Sequence, residues 1–212
     1  MSAEPYVPEH ADLGELQKAA AGCEGCHLYE DATQTVFGEG GADARVVLVG
    51  EQPGDQEDKQ GHPFVGPAGR VLDRALDEAG IERDDAYVTN AVKHFKFSRQ
   101  GKRRIHQKPG ITELRACLPW LRAELTTLNP EVIVALGATA GQALLGPEFR
   151  VTKQRGVPLP CPPLDRLGTR EEQGEGRIVA TIHPSAVLRA EDRDAAYDGL
   201  LADLRVAAAL LA

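Results

Sequence analysis

The chain has 212 residues, with 24 Lys and Arg against 32 Asp and Glu, a formal net charge of −8. With 42% hydrophobic and 26% charged residues it can bury a core, which excludes wholesale disorder and fits one compact domain spanning residues 1–212. Four cysteines are too few for a disulfide scaffold. The N-terminus has neither a basic nor an apolar signal segment, and no apolar run is long enough to span a bilayer, so the reading is a cytoplasmic protein with no membrane partner. An evenly spread acidic surplus would also argue against nucleic acid.

In chain order, leucines at 13 and 16 with alanines at 19–21 predict a short amphipathic helix between residues 10 and 22, broken by Gly22. Residues 45–50 (RVVLVG) read as a strand buried on both faces, followed by a Gly-, Pro- and Asp-rich loop from Glu51 to Pro67. Apolar residues from Ala68 to Ala79 keep helical spacing until Gly80, and 86–92 (AYVTNAV) is the second strand. After a basic stretch, a helix runs from about Thr112 to Leu128, with Pro119 expected to bend it or shift its start. Residues 131–136 (EVIVAL) form a third strand, which leads through Gly137 into a helix ending near Gly146. The segment 156–175 reads as a Pro- and Gly-rich surface loop. A fourth strand, 177–182, then meets His183-Pro184-Ser185, and a last helix covers about 192–211. This alternation predicts an α/β fold, a three-layer sandwich with a mainly parallel four-stranded central sheet. Its ligand site should lie beyond the carboxyl ends of the strands, where Glu51, Asn90, Gly137 and His183 begin their loops.

Cys23-x-x-Cys26 places two thiols within reach of one metal or cluster, and Cys117 follows on a helix; a fourth ligand could be Cys161, His27 or His94, and zinc or iron–sulfur remain open. Gly50-Glu51-Gln52-Pro53-Gly54-Asp55 brings polar groups to a strand end, but it fits neither the Walker pattern nor the dinucleotide fingerprint. Phe64 sits in a loop where a ring can serve as a stacking face. Residues 93–108 (KHFKFSRQGKRRIHQK) hold seven Lys or Arg, no acid and two phenylalanines, so the acidic average hides a local footprint for a phosphate backbone. Within it, Arg103-Arg104-Ile105-His106 sets an imidazole among cations, which favours its neutral, nucleophilic form.

Together these motifs resemble the iron–sulfur uracil-DNA glycosylases, related to family four, and most closely the UdgX type, from Cys23 to the final helix. The resemblance rests on residues 50–55, Phe64, Asn90, His183-Pro184-Ser185 and, most specifically, the Arg-Arg-Ile-His insertion at 103–106. It implies a DNA-repair glycosidase in which Phe64 stacks on a flipped uracil, Asn90 reads its Watson–Crick edge, and Gly50 and Ser185 border the base. His183 and the Gln52 turn would stabilise the uracil anion, with Asp55 completing the pocket. His106 would attack C1′ and remain joined to the DNA in a single turnover, with Glu51 as the group that orients it or takes its proton. The resemblance also implies a structural 4Fe-4S cluster on Cys23, Cys26, His94 and Cys117, leaving Cys161 free. Lys102, Arg103, Arg104 and Lys108 would meet the phosphates of uracil-containing DNA, single strands included, and the chain would act as a monomer. Two alternatives are a conventional glycosylase that releases an abasic site and a non-catalytic iron–sulfur DNA-binding module.

Overall fold

A computed structural model describes residues 1–168 and 177–212. The first helix, α1 (Leu13–Ala20), is started by Asp12 and Glu15, which cap each other's backbone N–H groups. Strand β1 (Val46–Gly50) is buried at every position and is followed by α2 (Asp55–Gln60), α3 (Pro67–Ala79) and β2 (Ala86–Asn90). Next come a two-stranded antiparallel hairpin, β3 (Phe97–Gln100) and β4 (Arg103–His106), and the long helix α4 (Ile111–Leu128). Strand β5 (Val132–Leu136) feeds α5 (Ala138–Leu145), and after α6 (Val151–Gln154) and β6 (Pro158–Pro160) the described chain resumes in β7 (Arg177–Thr181). Helices α7 (Pro184–Arg189) and α8 (Arg193–Ala209) complete it.

The central sheet has the order β2-β1-β5-β7-β6, parallel throughout except for β6. Alternate side chains of a strand point to opposite faces, and both faces here are covered. Val47, Val49, Ile133 and Ala135 share one apolar layer with Leu16 of α1, Trp120 and Leu125 of α4 and Leu144 of α5. Val46, Leu48, Val134 and Leu136 share the other with Leu72 of α3, Val187 of α7 and Leu200 of α8. The expected three-layer α/β sandwich is therefore present, with five strands in place of four. The fifth is the short edge strand 158–160, inside the segment expected to be loop. Its two prolines have no N–H to offer a further strand, so they suit an edge. That expected loop also holds a 3-10 turn at Leu164–Arg166, and its residues 169–175 lie outside the described residues.

Three other expectations are corrected. The loop expected from Glu51 to Pro67 contains α2, whose sequence DQEDKQ has no apolar residue to betray a helix. Pro119 does not move the start of α4, which lies at Ile111, and the helix runs on to Leu128 with the proline buried. The carbonyl of Ala116, three residues before it, accepts the backbone N–H of Ala3 at 2.8 Å, which ties the N-terminal segment to the helix. The basic stretch forms the hairpin, and its cations divide. Lys93 is buried, Lys96 pairs with Glu113 at 2.7 Å, and Arg104 turns inward; only Arg99, Lys102, Arg103 and Lys108 are exposed.

Lys93 meets Glu124 of α4 in an ion pair that is 1% and 0% exposed. Its three ammonium protons go to Glu124 Oε2, Thr89 Oγ1 at 2.7 Å and the Asn90 carbonyl at 2.9 Å. Glu124 Oε1 accepts from the Gly38 N–H, the Tyr87 hydroxyl and the Thr89 hydroxyl, at 3.2, 3.0 and 2.9 Å. Removing one member leaves the other charge buried without a partner, so Lys93→Met should cost about 3–5 kcal/mol in denaturant unfolding. Lys93→Met with Glu124→Leu should cost distinctly less than Lys93→Met alone.

Candidate active site

Chain topology selects the location. From β1 the chain moves to one neighbour, β2, while from β5 it moves the opposite way to β7, so a crevice opens at the carboxyl ends of β1 and β5. A cavity of about 550 Å³ lies there, lined among others by Glu51, Gln52, Phe64, Asn90, His106, Lys108, His183 and Ser185. Residues expected at four separate strand ends are thus brought together. Gly50, paired in register with Asn90, has to lack a side chain: a Cβ there would lie 2.3 Å from Asn90 Oδ1 and 2.7 Å from Phe64 Cζ. Phe64 takes a left-handed backbone (φ 58°), which is uncommon for an aromatic residue, and its ring lies 6.1 Å from that of His183 at an interplanar angle of 26°. Glu57 accepts the Gly66 N–H at 2.8 Å and so pins the Phe64 loop to α2; this lining residue was not singled out from the sequence.

The tautomer of His183 follows from its partner, and Gln52 and Glu51 flank His106. His183 Nδ1 accepts the Ser185 backbone N–H at 3.1 Å, so the ring proton sits on Nε2 as a hydrogen-bond donor. The Ser185 hydroxyl lies 2.8 Å from the same Nδ1. Burial, with Arg189 and His106 nearby, holds the His183 imidazolium down to about 4, so the ring is neutral at pH 7. For Gln52, the side-chain oxygen accepts the Lys96 N–H at 3.0 Å while the amide nitrogen faces the carbonyls of Lys96 at 3.2 Å and Gln107 at 3.0 Å. Gln52 also places its amide nitrogen 2.9 Å from the ring nitrogen His106 Nε2. Glu51 Oε1 lies 3.6 Å from the same nitrogen, and Glu51 Oε2 accepts the Thr139 hydroxyl.

Arg104 and Asp55 do not occupy the positions expected of them. The Arg104 guanidinium bonds Asp55 Oδ1 and Asp58 Oδ2, each at 2.6 Å, and Thr33 Oγ1 at 3.1 Å, and it lies over the rings of Phe95 and Phe97. Its side chain is 12% exposed, so its charge is neutralised within the fold and is not offered to a phosphate. Asp55 is held below the usual carboxylate range by Lys59 first and by Arg104 next, and it lies outside the cavity lining. The pair locks the hairpin to α2, so its effect reaches the cavity through the placement of His106. Lys102 and Arg103 stand exposed at the hairpin tip, away from the lining, whereas Lys108 lines the cavity, as does Arg189, which the sequence reading missed.

The cysteine region lies at the N-terminal side of α4. Cys23, Cys26 and Cys117 are buried, and none forms a disulfide. Cys23 accepts the Trp120 indole N–H and Cys117 the Lys93 backbone N–H, each at 3.2 Å. Burial pushes the Cys117 thiol up to about 12; Lys93 opposes this, while Cys26 and Cys23 add to it. Next to Lys93, His94 is buried, and its Nε2 lies 2.9 Å from Thr35 Oγ1. The Thr35 hydroxyl proton goes to the Ala20 carbonyl at 2.9 Å, so His94 must donate from Nε2, and the lone pair is on Nδ1. Of the other two candidate fourth ligands, His27 lies 3.3 Å from the Glu113 carboxylate, and Cys161 is a buried thiol that burial alone raises to about 11. Among the described residues, no three of His, Cys, Asp and Glu converge closely enough to hold a single metal ion.

Comparison with known proteins agrees with this arrangement. The family described as the Uracil DNA glycosylase superfamily matches residues 37–205, which span β1 through most of α8. A type-4 uracil-DNA glycosylase of Thermotoga maritima is 42% identical over 168 residues, covering 79% of this chain and 78% of the relative. One of Pyrobaculum aerophilum is 36% identical over 179 residues, covering 84% and 85%. A type-5 uracil-DNA glycosylase of the same organism is 34% identical over 121 residues, half of each chain. With a mainly parallel sheet, a cavity at its switch point and a family match over most of its length, the chain belongs to the uracil-DNA glycosylase superfamily.

Proposed function

We propose that the protein excises uracil from DNA and becomes covalently joined to the resulting sugar through His106, as the UdgX type does. The observation that carries this reading is the His106 imidazole itself. It stands in the cavity wall with Nε2 between Gln52 and Glu51, on a hairpin that Arg104 clamps to α2. Phe64 stacks on the flipped base and Asn90 reads its edge. As the C1′–N1 bond breaks, its electron pair leaves with uracil, and His183 Nε2–H donates to the oxygen on which that charge collects. Glu51 then faces the positive sugar. Its carboxylate stabilises that cation and orients His106, which reacts as the Nδ1–H tautomer. His106 Nε2 supplies the electron pair for the new bond to C1′, and loss of the Nδ1 proton to water neutralises the imidazolium that forms.

The exposed cations Arg99, Lys102, Arg103 and Lys108 attract the phosphates of a strand, with single strands accepted, and the chain acts as a monomer. The cysteine region suits a 4Fe-4S cluster on Cys23, Cys26, His94 Nδ1 and Cys117. Support comes from three buried thiols that influence one another and from a histidine whose second nitrogen is held by Thr35, the outer partner a ligating imidazole requires. A cluster there ties the N-terminal segment to α4, since uracil excision needs no redox step. The second reading, a glycosylase that turns over and leaves an abasic site, is favoured by the type-4 names of the relatives.

Incubation with uracil-containing single-stranded DNA should give a species of retarded mobility that survives SDS and heat. His106→Ser should abolish it while free uracil is still released; a wild-type protein that releases uracil without any adduct establishes the second reading. The purified protein should be brown with broad visible absorbance. In NMR titration, His183 should stay neutral until about pH 4. Because its folded value lies below the unfolded value of about 6.5, the unfolded state takes up a proton first, so His183 should contribute a loss of stability as pH falls from 6.5 towards 4.

A further inference from the structure

The β5–α5 corner holds a polar group that the proposed chemistry does not use directly. Strands β1 and β5 are neighbours in parallel register, Val49 opposite Ala135, so the residues that follow each strand emerge side by side. Glu51 follows β1, and Thr139 lies in the first turn of α5. The corner between β5 and α5 is made at Gly137, whose φ of 91° side-chain-bearing residues rarely adopt; a Cβ there would also lie 3.2 Å from His183 Cβ. This tight turn brings the Thr139 hydroxyl to Glu51 Oε2. Thr139 is 3% exposed and lines the same cavity as His106 and His183.

We infer that Thr139 is a positioning residue for the reaction. Its hydroxyl donates to Oε2, fixes the plane of the Glu51 carboxylate and so keeps Oε1 turned towards His106 Nε2 and the sugar. A carboxylate on a short loop can otherwise rotate, and the side chain is 22% exposed, so water could draw it away from the reacting atoms. The β-branched Thr139 side chain has few rotamers, which makes it a stiffer donor than water. The inference rests on the proposed role of Glu51 and adds the group that holds it.

The test uses single-turnover uracil release, with adduct yield and DNA affinity measured separately. Thr139→Val keeps the shape and removes the donor. It should slow uracil release about 10- to 100-fold, the effect of one lost hydrogen bond to a charged acceptor, with DNA affinity unchanged. Thr139→Ser should restore most of the rate. In a Glu51→Gln background, Thr139→Val should add little, because the carboxylate it holds is gone. The inference is overturned if Thr139→Val releases uracil at the wild-type rate, if serine is as slow as valine with an unchanged melting temperature, or if the two substitutions act additively. Failure of the wild-type protein to release uracil at all would instead overturn the function on which the inference rests.

Discussion

The buried pair of Lys93 and Glu124 is the contact on which most of the remaining structure depends. One ammonium joins the end of β2 to α4 through the Thr89 hydroxyl, the Asn90 carbonyl and the Glu124 carboxylate. The backbone N–H of the same residue donates to Cys117, and the next residue is His94. Two distinct places are therefore set from one point: Asn90, three residues earlier, faces the cavity, while the Cys117 thiol is held by the Lys93 backbone. A buried ion pair adds little net stability over a well-packed apolar pair of the same shape, because desolvation offsets the attraction. Here its strength as a device is geometric, since every ammonium proton has an acceptor and the Glu124 carboxylate is equally engaged. The loop through Gly38 and the Tyr87 side chain are held to that carboxylate as well.

Three imidazoles occupy key positions, and in two of them the fold chooses which nitrogen carries the proton. Ser185 does so for His183 through a backbone N–H, and Thr35 for His94 through a hydroxyl committed elsewhere. The donors differ, yet the logic is shared. A partner that can play one hydrogen-bonding role leaves the opposite role to the far side of the ring. At His183 the far side is a donor, and at His94 it is a lone pair. A donor and an acceptor are thus made from one residue type without a change of pH.

Much of this was legible in the sequence. Strands buried on both faces leave runs such as VVLVG and VIVAL, and the alternation of such runs with helices limits the topology. Glu51, Gln52, Asn90 and His183 stood at strand ends and therefore met in one cavity. What escaped depends on partners distant in sequence. Arg104 counted as a free cation because its carboxylate partners lie 49 and 46 residues away, and Asp58, which is fully buried, belongs to a hexapeptide with no apolar periodicity. Lys93 was counted with the surface charge for the same reason, as its carboxylate lies 31 residues on. Thr139 belongs to no motif, and only the parallel pairing of β1 with β5 brings it to Glu51. A count of charges reports what a segment contains; the fold decides how much of it reaches solvent.

The division of the hairpin's cations has a consequence for how the protein would search a genome. With Lys93 and Arg104 neutralised inside and Lys96 paired, four cations of that segment remain to displace counterions from a strand. Each contact on single-stranded DNA contributes about −0.7 to the slope of log affinity against log salt, so this segment supports a slope no steeper than about −3. Undamaged DNA is then held loosely and released quickly. Residence then depends on whether a base can enter the cavity, which under the covalent chemistry proposed above is the step that commits the protein.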